Sequence, residues 1–372
     1  MARTVVIVAP WGERLGGAEE MLWQLLRNLN REKLEPAVVF LGPGPFEREV
    51  AELGIWTTVI PAGRLRRPAA TSAAIRRLAA VLRARQPDLL LDWSAKCQLY
   101  GSAAASLAGM RERVVWWQHQ IPAGHWVDRL ATLTPARAIG CSSAAGETAQ
   151  RALWPSRPTF VVNPGIEIDP GPKGPNGLRN ELGIPRERLV AGIVGRLQPW
   201  KGQDRFLAAL ARMRKGGRDV HGLVVGGDAY GLSPEYAAGL ERLTAELGLA
   251  DRVTMTGQVP DSRPYLELMD VAVSASDNEP FGIVLLEAMA AGVPVVAVAE
   301  GGPTDIVEPG VTGMLAASRE PRALAAAIEA VIADPGRRAE MGAEGRRRCK
   351  ERYSAGAMAE RIAERLLLLA DG

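Results

Sequence analysis

Thr4-Val5-Val6-Ile7-Val8-Ala9, then a helical stretch from Ala18 to Asn30, then Ala37-Val38-Val39-Phe40-Leu41: this succession decides the fold. Each short, continuous apolar run predicts a strand buried on both sides, because a strand with one wet face would alternate. A helix between two such strands acts as a crossover, which makes the pair parallel and lays helices on the faces of the sheet. The alternation continues outward, with strands predicted at Trp56 to Ile60, Asp88 to Trp93, Arg113 to Trp117, Arg137 to Cys141 and Thr159 to Val162. A Gly- and Pro-rich stretch across 164–178 breaks the pattern and reads as a linker. A second set then follows at Leu189 to Val194, Gly222 to Val225, Arg252 to Thr256, Val271 to Ser274 and Pro294 to Val298. The expected architecture is α/β, with two Rossmann-like, doubly wound parallel-sheet domains at 1–165 and 186–353, a linker at 166–185 and a last helix in 354–372.

Composition agrees with this and excludes several classes. The 372 residues are too many for one core and suit two domains. With 47% hydrophobic and 23% charged residues the chain is globular rather than disordered. Cys97, Cys141 and Cys349 are odd in number and widely spaced, so neither a zinc pattern nor a disulfide framework is expected, and a reducing cytoplasm fits. No apolar run approaches the roughly 18 residues of a membrane span. A net charge of +3 gives no footprint for nucleic acid.

Polar residues gather just past predicted strands, where ligands of such sheets bind. Gly195-Arg196-Leu197-Gln198-Pro199-Trp200-Lys201-Gly202 follows the run Leu189 to Val194. A planar guanidinium and a point-charge ammonium leaving one strand end suit a diphosphate held from two sides. Further on, Glu279-Pro280-Phe281-Gly282-Ile283-Val284-Leu285-Leu286-Glu287 reads as a helix start, with Pro280 at the first helical position and Glu279 at its mouth. The amides of Gly282, Ile283 and Val284 would then face an anion with the helix dipole behind them. Glu279 is placed to accept from sugar hydroxyls and Glu287 from a ribose. The plainer alternatives are an amphipathic helix with two solvated glutamates and a solvated basic loop.

In these residues the chain resembles the retaining family 4 glycosyltransferases of the GT-B fold, with Glu279 and Glu287 as the E-x7-E element. The resemblance extends to Gly16-Gly17-Ala18-Glu19, His119, Asn163-Pro164-Gly165-Ile166, Gly226-Gly227-Asp228, Gly257-Gln258-Val259 and Gly301-Gly302-Pro303-Thr304-Asp305-Ile306-Val307. One departure is Gly226-Gly227-Asp228, where the family more often carries Gly-Asp-Gly. The resemblance implies two domains facing across a cleft, acceptor on the first and nucleotide-sugar donor on the second, with the last helix crossing back to the first. It implies His119, Arg196, Lys201 and Glu279 as catalytic residues. Donor contacts would come from Gly16, Gly17, Arg196, Lys201, Gln258, Val259, Glu279, Phe281, Gly282, Ile283, Val284 and Glu287. It further implies front-face attack with retention, the departing phosphate oxygen as base, and no metal or other cofactor. A uridine donor is preferred over guanosine. The acceptor is a hydroxyl on a glycan, a lipid-linked glycan or a small natural product. A nucleotide-sugar epimerase of the same architecture and a non-catalytic nucleotide-sugar-binding protein are the rival readings.

Several features stand outside this pattern. Glu19, in the first turn after Gly16-Gly17, reads as a surface residue matching the helix dipole. Most of Trp11, Trp23, Trp56, Trp93, Trp116, Trp117, Trp126 and Trp154 are expected in the core, with Trp11, Trp93 and Trp126 as candidates for stacking on an acceptor. His125 and His221 read as structural. Arg64, Arg66, Arg67, Arg76, Arg77, Arg83 and Arg85 flank a helix whose apolar stripe is Ile75, Leu78, Ala79 and Leu82. They form either a solvated face or a weak docking surface for anionic lipid on the inner membrane face.

Overall fold

The computed structural model describes residues 2–14, 16–63, 67–168, 177–228, 231 and 233–371. Arg64 and Arg66 of the basic cluster, and 169–176 of the expected linker, lie outside the described residues. The chain divides into two compact units, Met1–Glu167 with Ser354–Gly372, and Ile168–Tyr353.

The first unit holds β1 (Arg3–Ala9), β2 (Leu34–Phe40), β3 (Trp56–Val59), β4 (Leu89–Asp92), β5 (Val114–Gln118), β6 (Ala138–Cys141) and β7 (Thr159–Val161) in the spatial order β3-β2-β1-β4-β5-β6-β7. All six pairings are parallel. Alternate β1 residues serve opposite faces, as the pleat requires. Val5 and Ile7 pack with Leu22 and Leu25, whereas Val6 and Val8 pack with Leu78, Leu82 and Tyr100. The helix Ala355–Asp371 supplies Met358, Ile362 and Leu366 to the first of these clusters and lies against the helix Gly17–Asn28. Each such buried aliphatic side chain contributes roughly 1.5–3 kcal/mol.

The second unit repeats the plan with β8 (Leu189–Val194), β9 (Val220–Val225), β10 (Val253–Met255), β11 (Val271–Ser274), β12 (Val295–Val298) and β13 (Gly313–Ala316), in the order β10-β9-β8-β11-β12-β13. Strand β13 was not expected. It is four residues long and begins with Gly, so it carries little strand signal of its own, and its pairing with β12 makes it. The end of the expected linker also differs, because Leu178–Glu181 forms a helical turn and Ile184 is buried. In each sheet the strand order reverses once, between β1 and β4 and between β8 and β11. Open sheets bind ligands at such switch points, outside the carboxyl ends of the strands.

Candidate functional site

The switch point of the second unit gathers the polar residues. β8 leads through Gly195 and Arg196 into the single turn Pro199–Lys201, and β11 leads through 275–282 into the helix Ile283–Ala290. Lys201 Nζ lies 2.7 Å from Glu279 Oε2, and both side chains are largely buried. The ammonium also stands 4.2 Å from the centroid of the Trp200 ring. Glu279, which the sequence assigns to sugar hydroxyls, is thus joined to the cation assigned to the diphosphate. An ammonium carries three donors and Glu279 takes one, so the pair can still receive an anionic oxygen. Arg196 is half-buried and, among the described residues, has no carboxylate partner.

The helix start differs from the expectation. Pro280 is not its first residue: the helix begins at Ile283, with Gly282 before it at φ 102°. Pro280 and Phe281 are held in the loop by the backbone after β12. The Gly302 amide donates to the Glu279 carbonyl at 2.8 Å, and a Cβ on Gly302 would lie 2.2 Å from Phe281 Cα. Glu279 therefore hangs from a loop anchored on the β12 exit. The Phe281 side chain is 4% exposed, with its ring centroid 6.2 Å from that of Tyr353, so it anchors the loop and leaves only backbone for a ligand. The Leu285 amide turns back to the Gly282 carbonyl at 2.9 Å, and the amides of Gly282, Ile283 and Val284 have no partner within the helix. Glu287 lies on this helix, half-buried. Gln258 is exposed and Val259 half-buried at the β10 exit, where the Gly226 amide donates to the Gly257 carbonyl at 3.1 Å.

The carboxyl edge of the first unit carries the other residues. Gly16 and Gly17 are exposed at the start of the helix Gly17–Asn28. Glu19 is buried, at 7% exposure, so it is not a surface residue. Trp93 is fully buried, donates from Nε1 to the Ala18 carbonyl at 2.8 Å and stacks on Trp117, which removes it as an acceptor platform. Trp11, Trp56, Trp126 and Trp154 are exposed, contrary to a mostly buried set. The His119 ring lies 4.9 Å from Trp93, and its Nδ1 is 3.3 Å from Ser142 Oγ, which also accepts from Trp117 Nε1. Among the described residues its Nε2 is buried without a hydrogen-bond partner. Burial pushes the imidazole down to about 3, against a smaller upward pull from the Trp93 backbone, so the ring is neutral at pH 7. His221 bonds Thr254 Oγ1 through Nε2 at 2.9 Å and is also pushed down by burial, to about 4. Sequence reasoning missed Gln203 and Arg205, whose side chains bond the loop bearing Arg196 and Lys201.

Paired parallel sheets, each presenting polar loops at its switch point, are the mark of nucleotide-binding proteins of the GT-B fold. Two family models agree: "Glycosyltransferase Family 4" matches residues 15–170 and "Glycosyl transferases group 1" matches residues 176–348. The chain belongs to the family 4 glycosyltransferases. Among curated relatives, a D-inositol 3-phosphate glycosyltransferase of Geodermatophilus obscurus is 40% identical over 205 residues, 52% of this chain and 43% of the relative. One from Thermobispora bispora is 37% identical over 220 residues, 56% of this chain and 50% of the relative. The matched part thus spans about half the length of these relatives or less. Anabaena HepE, solved in complex with UDP-glucose, superposes with a TM-score of 0.83 at 27% identity, covering 98% of this chain and 99% of that one. Sucrose-phosphate synthase of Thermosynechococcus elongatus shares the fold, with a TM-score of 0.81 at 22% identity over 100% of both chains.

Proposed function

We propose that the protein is a retaining glycosyltransferase that moves a sugar from a nucleoside diphosphate, UDP rather than GDP, to a hydroxyl acceptor. The observation that carries this is the Lys201–Glu279 ion pair of 2.7 Å at the carboxyl ends of β8 and β11, with Arg196 and the amides of Gly282, Ile283 and Val284 beside it in the chain. Cleavage of the anomeric bond puts negative charge on the diphosphate. Arg196, Lys201 and the helix amides stabilise that charge where it develops, and with these cations the reaction needs no metal. Glu279 holds sugar hydroxyls while its second oxygen keeps Lys201 in place. Glu287 takes the ribose, and the backbone at Gln258 and Val259 takes the base. Gly16, Gly17 and the unpartnered Nε2 of His119 serve the sugar and acceptor from the first unit. The acceptor hydroxyl attacks the anomeric carbon from the face that the diphosphate leaves, which gives retention, and the departing phosphate oxygen takes its proton. UDP is supported by the complexes of HepE. The curated relatives, by name, add a phosphorylated polyol to the candidate acceptors, alongside glycans, lipid-linked glycans and small natural products.

The test is turnover of UDP-sugars against an acceptor panel, with the anomeric configuration of the product read by NMR. Transfer with retention supports the proposal. Inversion, or an epimerised nucleotide sugar formed without acceptor, contradicts it.

We further propose a cytoplasmic location and weak peripheral contact with anionic membranes. No helix among the described residues is long and apolar enough to cross a membrane. Arg76, Arg77, Arg83 and Arg85 are exposed on the helix Pro68–Arg85, and Arg85 lies 3.6 Å over the exposed ring of Trp56. Each cation near such a surface is worth about 1 kcal/mol, and salt screens it. Sedimentation with anionic vesicles at low salt should carry down part of the protein and release it at high salt; no binding at low salt removes this element.

A further inference from the structure

The residues that follow Lys201-Gly202 open the helix Gln203–Lys215, and their side chains turn back to the loop they have just left. Arg205 donates from Nη2 to the Ala275 carbonyl at 2.9 Å and to the Trp200 carbonyl at 3.3 Å, and from Nε to Ala275 again at 3.3 Å. Among the described residues it has no carboxylate partner, so its charge is spent on two main-chain oxygens. One belongs to the turn that carries Lys201, the other to the start of the loop that carries Glu279. The Asp277 amide meets the same Trp200 carbonyl at 2.6 Å. Gln203, 1% exposed, donates from Nε2 to the Arg196 carbonyl at 2.9 Å. The backbone beside each of the two donor-site cations is thus held from one helical turn.

We infer that Arg205 is a positioning residue of the diphosphate grip: its planar fork fixes the β8 exit against the β11 exit and so sets where Lys201 stands relative to Glu279. A fork bonding two carbonyls at once resists both sliding and rotation, which an ammonium bonding one of them does not. The inference rests on the proposed role of Arg196 and Lys201 in holding the diphosphate. Arg205 itself contacts only backbone.

The experiment is calorimetric binding of UDP and of uridine to the full chain and to Arg205→Met and Arg205→Lys, with the melting temperature of each unliganded protein. If the wild-type protein holds another diphosphate, that diphosphate and its nucleoside replace the pair. Displacing the Lys201 turn by a fraction of an ångström should weaken the diphosphate about tenfold or more in Arg205→Met, on the scale known for misplaced groups. Uridine should stay within about twofold and Arg205→Lys should fall between, since one carbonyl can still be met. Should Arg205→Met not fold, Arg205→Lys carries the same comparison. Unchanged diphosphate affinity overturns the inference. So does equal weakening of diphosphate and nucleoside together with a lowered melting temperature, which is the mark of a merely structural bond. A wild-type protein that binds no nucleoside diphosphate removes the donor-site reading instead, and this inference with it.

Discussion

At the scale of single residues, the Lys201–Glu279 pair makes the sharpest demand. If Lys201 stabilises charge that appears only as the sugar departs, Lys201→Ala should lower kcat by about two decades or more while circular dichroism shows an intact fold. Near-normal turnover would contradict its role. His119 makes a different demand. Its pKa of about 3 and that of His221, about 4, lie below the ordinary value of 6.5. The unfolded chain therefore takes up these protons first, so the stability that burial of the neutral rings allows is full above about pH 6.5 and is lost as pH falls towards the native values. An NMR titration should find His119 neutral throughout pH 5 to 8, roughly the range in which an unperturbed imidazole changes charge. A midpoint near 6.5 would mean that the ring is not held as described. At this scale the sequence was legible where polar residues leave a strand end: Arg196 and Lys201 follow β8, Glu279 follows β11, and Lys201 meets Glu279. It was not legible where a side chain serves a neighbour's backbone, as Arg205 and Gln203 do, because a carbonyl leaves no trace in the residue that bears it.

At the scale of elements, strands are legible because a strand buried on both faces is a continuous apolar run, and β11 lies at the residues its run predicts. Sequence and structure part where tertiary contact outranks local preference. Pro280 is a good first helical residue in isolation, yet Gly302 packing beneath Phe281 keeps it in a loop, and β13 exists because β12 is beside it. Trp93 shows the same limit: its place after a strand suggested the ligand side, whereas its indole bonds Ala18 and fills the core. The helix Ala355–Asp371 gives a quantitative check. Ile362 is fully buried in the cluster that holds Leu22 and Leu25. Ile362→Ala should destabilise the first unit by about 2–5 kcal/mol in urea unfolding followed by first-unit probes. A loss below about 1 kcal/mol would show that this helix contributes little to the core, since even a single deleted methylene is worth nearly that much.

At the scale of the whole molecule, each of the two units has hydrophobic core of its own. Such a protein is not bound to unfold in one step, and a ligand of one unit acts first on the transition of that unit. A nucleoside diphosphate held by Arg196, Lys201, Glu287 and the helix Ile283–Ala290 should therefore raise the transition of Ile168–Tyr353. The most direct measurement is thermal unfolding with saturating UDP, GDP, ADP and TDP in turn, without and with magnesium. At about 100 times its dissociation constant a ligand adds roughly 2.7 kcal/mol to the unit that holds it. A clear upward shift is expected with UDP in the absence of magnesium, abolished in Lys201→Ala. No shift with any of the four diphosphates, with or without the metal, would contradict it.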